Sequence, residues 1–281
     1  MARFVGIILM MVMMICPAWG EGLRVISLYP GHSDNIAAMG GGGMLAALSE
    51  NDDADLLPEL PRIPARSGAE RVLALRPDVV VTRSFAERVS PNMYDTLRRS
   101  GVKVVVIDPP SWDDFPEYLR TLADSIGLDP EEGLSRLKSA VTEIESQAVT
   151  VNRPGVFLEA TSRELHTCAP DSWPARLIEL CGGVNIAADA VPAREGSSVA
   201  PYGVERVLKH AASLDVYIIQ NGAMNTATVD SFRAREWSSA LGHVRVCEIP
   251  ERYISRPSLL GLERGGRELV RIFREVSENA R

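Results

Sequence analysis

Apolar residues along this chain fall into short β-branched runs separated by stretches of helical spacing, and the alternation persists to the C-terminal region. In the first half, residues 24–28 read as a strand, followed by a turn at Pro30-Gly31 and a helix over about 33–39 that Gly40 to Gly43 end. Residues 44–48, 79–82 and 103–107 read as further strands, with helices predicted over 68–75 and 91–100. In the second half, strands are predicted over 155–159, 216–219 and 244–249, and a helix over 173–181 is closed by Gly182-Gly183. Ser255-Arg256-Pro257 is expected to open a terminal helix, with the serine as its cap. Short strands alternating with helices imply α/β layers built on mostly parallel sheets.

One phrase occurs twice. Gly68-Ala69-Glu70-Arg71-Val72-Leu73 returns as Gly203-Val204-Glu205-Arg206-Val207-Leu208, a spacing of 135 positions (203 minus 68). Each copy leads to an aspartate and an apolar run, Asp78-Val79-Val80-Val81 and Asp215-Val216-Tyr217-Ile218-Ile219. A duplicated helix-to-strand unit predicts two similar α/β lobes, and lobes that face each other enclose a ligand cleft. Between the copies, Asp129-Pro130-Glu131 starts a helix in which Leu134, Leu137, Val141, Ile144 and Ala148 recur at helical spacing. Such a helix has about 18 residues and is roughly 27 Å long, a rod rather than a flexible linker. The expected fold is therefore α/β, with two Rossmann-like lobes over residues 21–127 and 151–281, one long rigid helix within 128–150 joining them, and the ligand cleft between.

The first residues carry Arg3, an apolar stretch from Phe4 to Ile15, and Ala18-Trp19-Gly20 as a cleavage site. That stretch is shorter than the roughly 20 residues of a membrane span, so a signal peptide over residues 1–20 is expected; an uncleaved anchor is the other reading. Met13-Met14-Ile15 before Cys16 lacks the small residue that lipidation wants. The net charge of −7 becomes about −8 once Arg3 is removed, and an acidic chain argues against a nucleic-acid partner. Cys168, Cys181 and Cys247 leave two readings open: one disulfide plus a free thiol, or three buried small apolar residues.

In parallel α/β sheets ligands meet the loops at the carboxyl ends of strands. Tyr29 and His32 follow the first strand, Arg83 the strand over 79–82, and Trp112 the strand over 103–107. Arg163, His166 and Trp173 follow the strand over 155–159, and Asn221 follows the strand over 216–219. Tyr202, before the second copy of the repeat, and Tyr253 with Arg256 complete the ligand-binding candidates. Aromatic walls suit flat macrocycles, and arginines suit carboxylate or catecholate chelates. No G-x-S-x-G, H-E-x-x-H, P-loop or dinucleotide glycine pattern is present, and the four histidines are scattered. Neither a catalytic residue nor a resident cofactor or metal site is expected, and a secreted enzyme that processes metal chelates is the competing class.

Several stretches together resemble a known family. They are Ile26-Ser27-Leu28-Tyr29-Pro30 with Ile36-Ala37-Ala38-Met39-Gly40, Ala69 to Val80, Leu177 to Asn185, and Arg256-Pro257-Ser258. Over residues 24 to 275 the chain resembles the periplasmic substrate-binding proteins of ABC importers for ferric siderophores, haem and vitamin B12. The resemblance implies a periplasmic monomer that hands its ligand to a permease dimer in the inner membrane, driven by an ATPase. It also implies that Glu70 and Glu205, one on each lobe, dock onto permease arginines. A ferric siderophore or haem is the first expectation for the cargo, and a corrinoid the second.

Overall fold

The computed structural model describes residues 22–279, so the expected signal peptide lies outside the described residues. Strands β1 (Val25–Ser27), β2 (Leu45–Ser49), β3 (Arg62–Ile63), β4 (Val79–Thr82) and β5 (Lys103–Val106) form one parallel sheet in the order β3-β2-β1-β4-β5. The second half holds β6 (Gly155–Glu159), β7 (His166–Cys168), β8 (Val184–Asn185), β9 (Val199–Pro201), β10 (Val216–Asn221) and β11 (Arg245–Pro250). Four of these form a parallel sheet in the order β11-β10-β6-β8, while β7 and β9 pair separately and antiparallel. Leaving aside the edge strand β3, both large sheets place their strands second, first, third and fourth in chain order. Strands β4 and β6 are buried along their whole length, which is why they read as unbroken apolar runs.

The repeat in the sequence is a repeat in hydrogen bonding. The Asp78 carboxylate accepts the Arg24 backbone N–H at 2.8 Å, and its own N–H returns to the Arg24 carbonyl at 2.9 Å. Asp215 does the same to Gly155, at 2.7 and 2.8 Å. Each aspartate thus pins the start of the neighbouring strand. Gly155 has no alternative there, since a Cβ would lie 1.8 Å from the Ser213 carbonyl oxygen. Asp215→Ala would strand a half-buried N–H and is expected to cost about 1–3 kcal/mol, with Asp78→Ala costing less because Arg24 is closer to solvent. Urea unfolding of the two variants checks that order.

The helix carrying the first copy spans Ala69–Leu73, shorter than expected because Arg76 turns the chain with φ of 48°. The second copy is the helix Val204–Lys209. The first helix of the chain starts earlier than expected, at Pro30, whose fixed φ suits a first helical position. The terminal helix runs Leu259–Asn279, and its N-terminal donors go to Ser258 Oγ, from Gly261 at 3.0 Å, and to Asn35 Oδ1, from Leu259 at 3.0 Å. Ser255 is not its cap; it closes the short helix Glu251–Ile254 instead. A helix over Phe115–Ile126, not expected from the sequence, buries six residues including Phe115, Tyr118, Leu119 and Leu122.

The helix between the two sheets spans Glu131–Gln147, 17 residues. It does not stand alone as a rod. Gly266 of the terminal helix lies so close that a Cβ there would meet Ile144 Cδ1 at 2.3 Å, and Arg136 donates to Glu263 at 2.8 Å. One apolar cluster takes in Val25 and Val79 of the first sheet, Val156 and Ile218 of the second, and Phe115 and Leu259 between them. The halves therefore share a core, and that limits any hinge more than one helix could.

Candidate functional site

A cavity of about 1300 Å³ opens between the two sheets. Its walls come from the residues that follow strands: Leu28 to Pro30 after β1, Arg83 and Ser84 after β4, and Asp108 to Ser111 after β5. From the second half come Ala160 after β6, Gly222 to Met224 after β10, and Glu251 and Arg252 after β11. With the second-first-third strand order, this is the crevice at the switch points of both sheets, where parallel α/β folds bind ligands.

Of the residues expected to bind ligand, Tyr29, Arg83, Trp173, Asn221 and Arg256 line this cavity. Arg83 lies over the rings of Tyr29 and Phe85, 5.0 and 5.4 Å from their centroids. Trp173 is buried, its Nε1 makes no hydrogen bond, and it packs across the halves against Trp112 at 4.6 Å and Phe115 at 4.8 Å. Trp112 supports that contact rather than lining the cavity. His32 lies only three residues beyond Tyr29 but turns inward, fully buried. Its Nε2 faces the carbonyls of Ile107 at 3.0 Å and Thr82 at 3.3 Å, so Nε2 carries the proton and Nδ1 accepts from Tyr118 at 2.7 Å. Tyr202 is buried in a separate cluster with its hydroxyl toward Ile186 and Asp189, and Tyr253, not part of the cavity lining, accepts from Arg264 at 2.7 Å and lies under Arg252 at 4.8 Å. His166, in β7, lies 3.2 Å from Thr161 Oγ1. It is near a smaller cavity of about 300 Å³ lined by Ser162, Glu164, Leu165, Val204, Arg235 and Trp237. Arg163 sits in the turn Arg163–Leu165, and its side chain is outside the described residues.

Charge in the large cavity is balanced. Its lining includes Arg83, Arg88, Arg252 and Arg256, and also Asp53, Asp108, Asp171 and Glu251. Two of these arginines are held across the halves. Arg256 reaches Asp34 and Asp53, each at 3.3 Å, and Arg252 reaches Asp53 at 3.1 Å and Asp55 at 3.5 Å. Tyr94 and Arg252 lie on helices, Gln220 lies in β10 and Asp171 in the turn before the helix Trp173–Leu180; with no distinguishing pattern around them, none was legible as a cavity residue. Cys168, Cys181 and Cys247 are all free thiols, and Cys168 also borders the cavity. Among the described residues no group of three or more His, Cys, Asp or Glu side chains could hold a metal ion.

Behind the arginine pairs, two buried aspartates have lost their usual acidity. Burial pushes Asp34 up to about 6 against the pull of Arg256, and pushes Asp52 up to about 7. The Ser33 hydroxyl beside Asp52 is turned toward Ser27, 2.8 Å away, and neither Asp52 oxygen has a hydrogen bond. Burial pulls His32 down to about 4. From about pH 4 to 7 the folded protein holds more protons on the aspartates than the unfolded chain does, so they make stability fall as pH rises. His32 acts oppositely from about pH 4 to 6.5, where the unfolded chain holds the extra proton. Asp52→Asn is therefore expected to melt higher than the parent at pH 8, by roughly 5 °C, with the gap closing toward pH 4. Thermal scans across that range decide it.

Residues 25–253 match the family of proteins described as periplasmic binding protein. The chain belongs to this family. Among its relatives, the vitamin B12-binding protein of Vibrio vulnificus strain CMCP6 is 26% identical over 256 residues, 85% of this chain and 87% of that one. The vitamin B12-binding protein of Vibrio cholerae strain ATCC 39541 is 28% identical over 174 residues, 59% of this chain and 62% of that one. Among solved structures, the periplasmic haem-binding protein RhuT of Roseiflexus sp. RS-1 superposes with a TM-score of 0.71 at 21% identity, covering 92% of this chain and all 100% of that one. The vitamin B12-binding protein BtuF of Vibrio cholerae gives 0.62 at 22% identity, covering 92% and 98%. These two likenesses carry the fold. With the family established, this periplasmic binding protein is a binder rather than an enzyme.

Proposed function

We propose that this protein is the periplasmic solute-binding component of an ABC importer, that it captures a large metal chelate of the corrinoid class between its two halves, and that it presents the chelate to a permease. The observation that carries the reading is the size and charge balance of the cavity. At about 1300 Å³ it exceeds the roughly 300–1,000 Å³ common for small-molecule pockets. Four arginines against four carboxylates suit a bulky ligand of little net charge with an amide-rich edge. A haem dicarboxylate or a catecholate chelate brings net negative charge, and desolvating it calls for an excess of cations. The names of the B12-binding relatives lean the same way, so the corrinoid moves ahead of the iron chelates expected first from sequence. In this reading the chain is exported by cleavage after residue 20 and works as a monomer, with lobes on either side of the helix Glu131–Gln147. Closure on the ligand is slight because the halves share a core.

Parallel calorimetric titrations with cyanocobalamin, hemin and a ferric catecholate siderophore test the choice of cargo. Cyanocobalamin is expected to bind one to one and about tenfold or more tighter than either competitor. Tighter binding of hemin or of the ferric chelate would overturn it.

A further inference from the structure

Seven large apolar side chains are exposed among the described residues, and three of them line the cavity: Phe85 at 56% exposure, Val89 at 65% and Met224 at 52%. Phe85 and Val89 come from the first half and Met224 from the second. Exposed apolar residues scattered singly need no explanation, but three that line one cavity do.

The backbone that carries them is fixed by polar bonds. The helix Ser84–Val89 has no buried residue. It is held at its start by the Ser84 N–H donating to Asp108 Oδ1 at 2.9 Å, by Arg88 donating to Ser84 Oγ at 2.9 Å, and by an ion pair from Glu87 to Arg98. Arg83, just before it, stacks between Tyr29 and Phe85. Met224 sits on a tight turn whose ends, Gly222 and Asn225, exchange hydrogen bonds of 2.9 and 3.2 Å. Asn225 is tied in turn to the Glu159 carbonyl at 3.2 Å. Gly222 suits this close approach, because a Cβ there would lie 2.7 Å from the Glu251 Cβ. More than half of each of these side chains is left uncovered by the element that carries it. Their apolar area is left to be covered by whatever fills the cavity.

We infer that Phe85, Val89 and Met224 form an apolar rim that closes on the hydrocarbon face of a metal macrocycle and selects it over compact hydrophilic chelates. The inference rests on the cavity being the ligand site, as proposed above, and it names which side chains set the choice. The polar wall deeper in the cavity meets the ligand's edge, and the rim meets its face.

The test replaces Phe85, Val89 and Met224 with serine, singly and together, and titrates cyanocobalamin. Each replacement is expected to weaken binding ~5-fold and the triple variant roughly 100-fold, from the apolar area no longer buried. The melting temperature should fall only slightly, because more than half of each side chain is exposed in the free protein. A triple variant with parental affinity would overturn the rim. So would an unchanged affinity accompanied by an altered sedimentation coefficient, which would make the patch a contact between copies. If the parent binds hemin and not cyanocobalamin, the corrinoid reading fails and the same variants are titrated with hemin. The same losses would then uphold the rim. A parent that binds neither macrocycle would overturn both.

Discussion

Reversing both exposed carboxylates of the repeat, Glu70→Arg together with Glu205→Arg, is expected to reduce uptake by whole cells to background while leaving chelate affinity within about twofold of the parent. Each glutamate occupies the first turn of a short helix and is exposed. Each helix leads in the chain to a central strand, β4 or β10, and the segment just before each borders the cavity, at Ala65 and at Val199. Two carboxylates on rigid elements of separate sheets can register with two positive patches on a dimeric permease, and reversal turns both attractions into repulsions. Single reversals should give intermediate uptake. Transport assays paired with titration of the purified variants separate docking from binding. Full uptake by the double variant would show that these helices do not face the permease.

Arg256→Met is expected to destabilise the protein by about 3 kcal/mol at pH 7.5, among the largest single costs available in this fold. Arg256 is 14% exposed and reaches from the second half to Asp34 and Asp53 of the first. The Asp34 carboxylate is almost wholly buried, and its Oδ1 already lacks a partner. Without the guanidinium a buried negative charge stays uncompensated. Asp34 already sits at about 6, held down by Arg256, and losing Arg256 sends it higher. At pH 5 the variant therefore carries a neutral Asp34, and most of the penalty disappears. Denaturant unfolding at both pH values measures the difference. Equal costs at pH 7.5 and pH 5 would mean that Arg256 acts through packing rather than charge.

The sequence makes the doubled architecture legible because central parallel strands are buried on both faces. Val79 to Val81 and Val216 to Ile219 therefore appear as unbroken apolar runs, each behind an aspartate with the same hydrogen-bonding task. Loops after strands were equally readable as cavity walls. Which side chain in a loop faces the cavity was not, since that depends on where the next helix starts. Pro30 begins its helix at once, and this turns His32 into the core while Tyr29 stays at the cavity. Partners far apart in the chain left no local pattern. The buried Glu159 meets Arg235, 76 residues away, at 2.6 and 2.9 Å, and Asn35 caps a helix that starts 224 residues later. The helix Phe115–Ile126 follows Pro109, Pro110, Asp113 and Asp114, residues that favour turns and mask the helical spacing behind them.

The entire account stands on cargo being held between the two sheets. Co-crystals grown with cyanocobalamin and measured at the cobalt absorption edge locate the metal independently of any fitted ligand. One strong anomalous peak inside the space bounded by Tyr29, Arg83 and Asn221 is the expected result. A peak on the outer surface, or none at a saturating concentration, would contradict it.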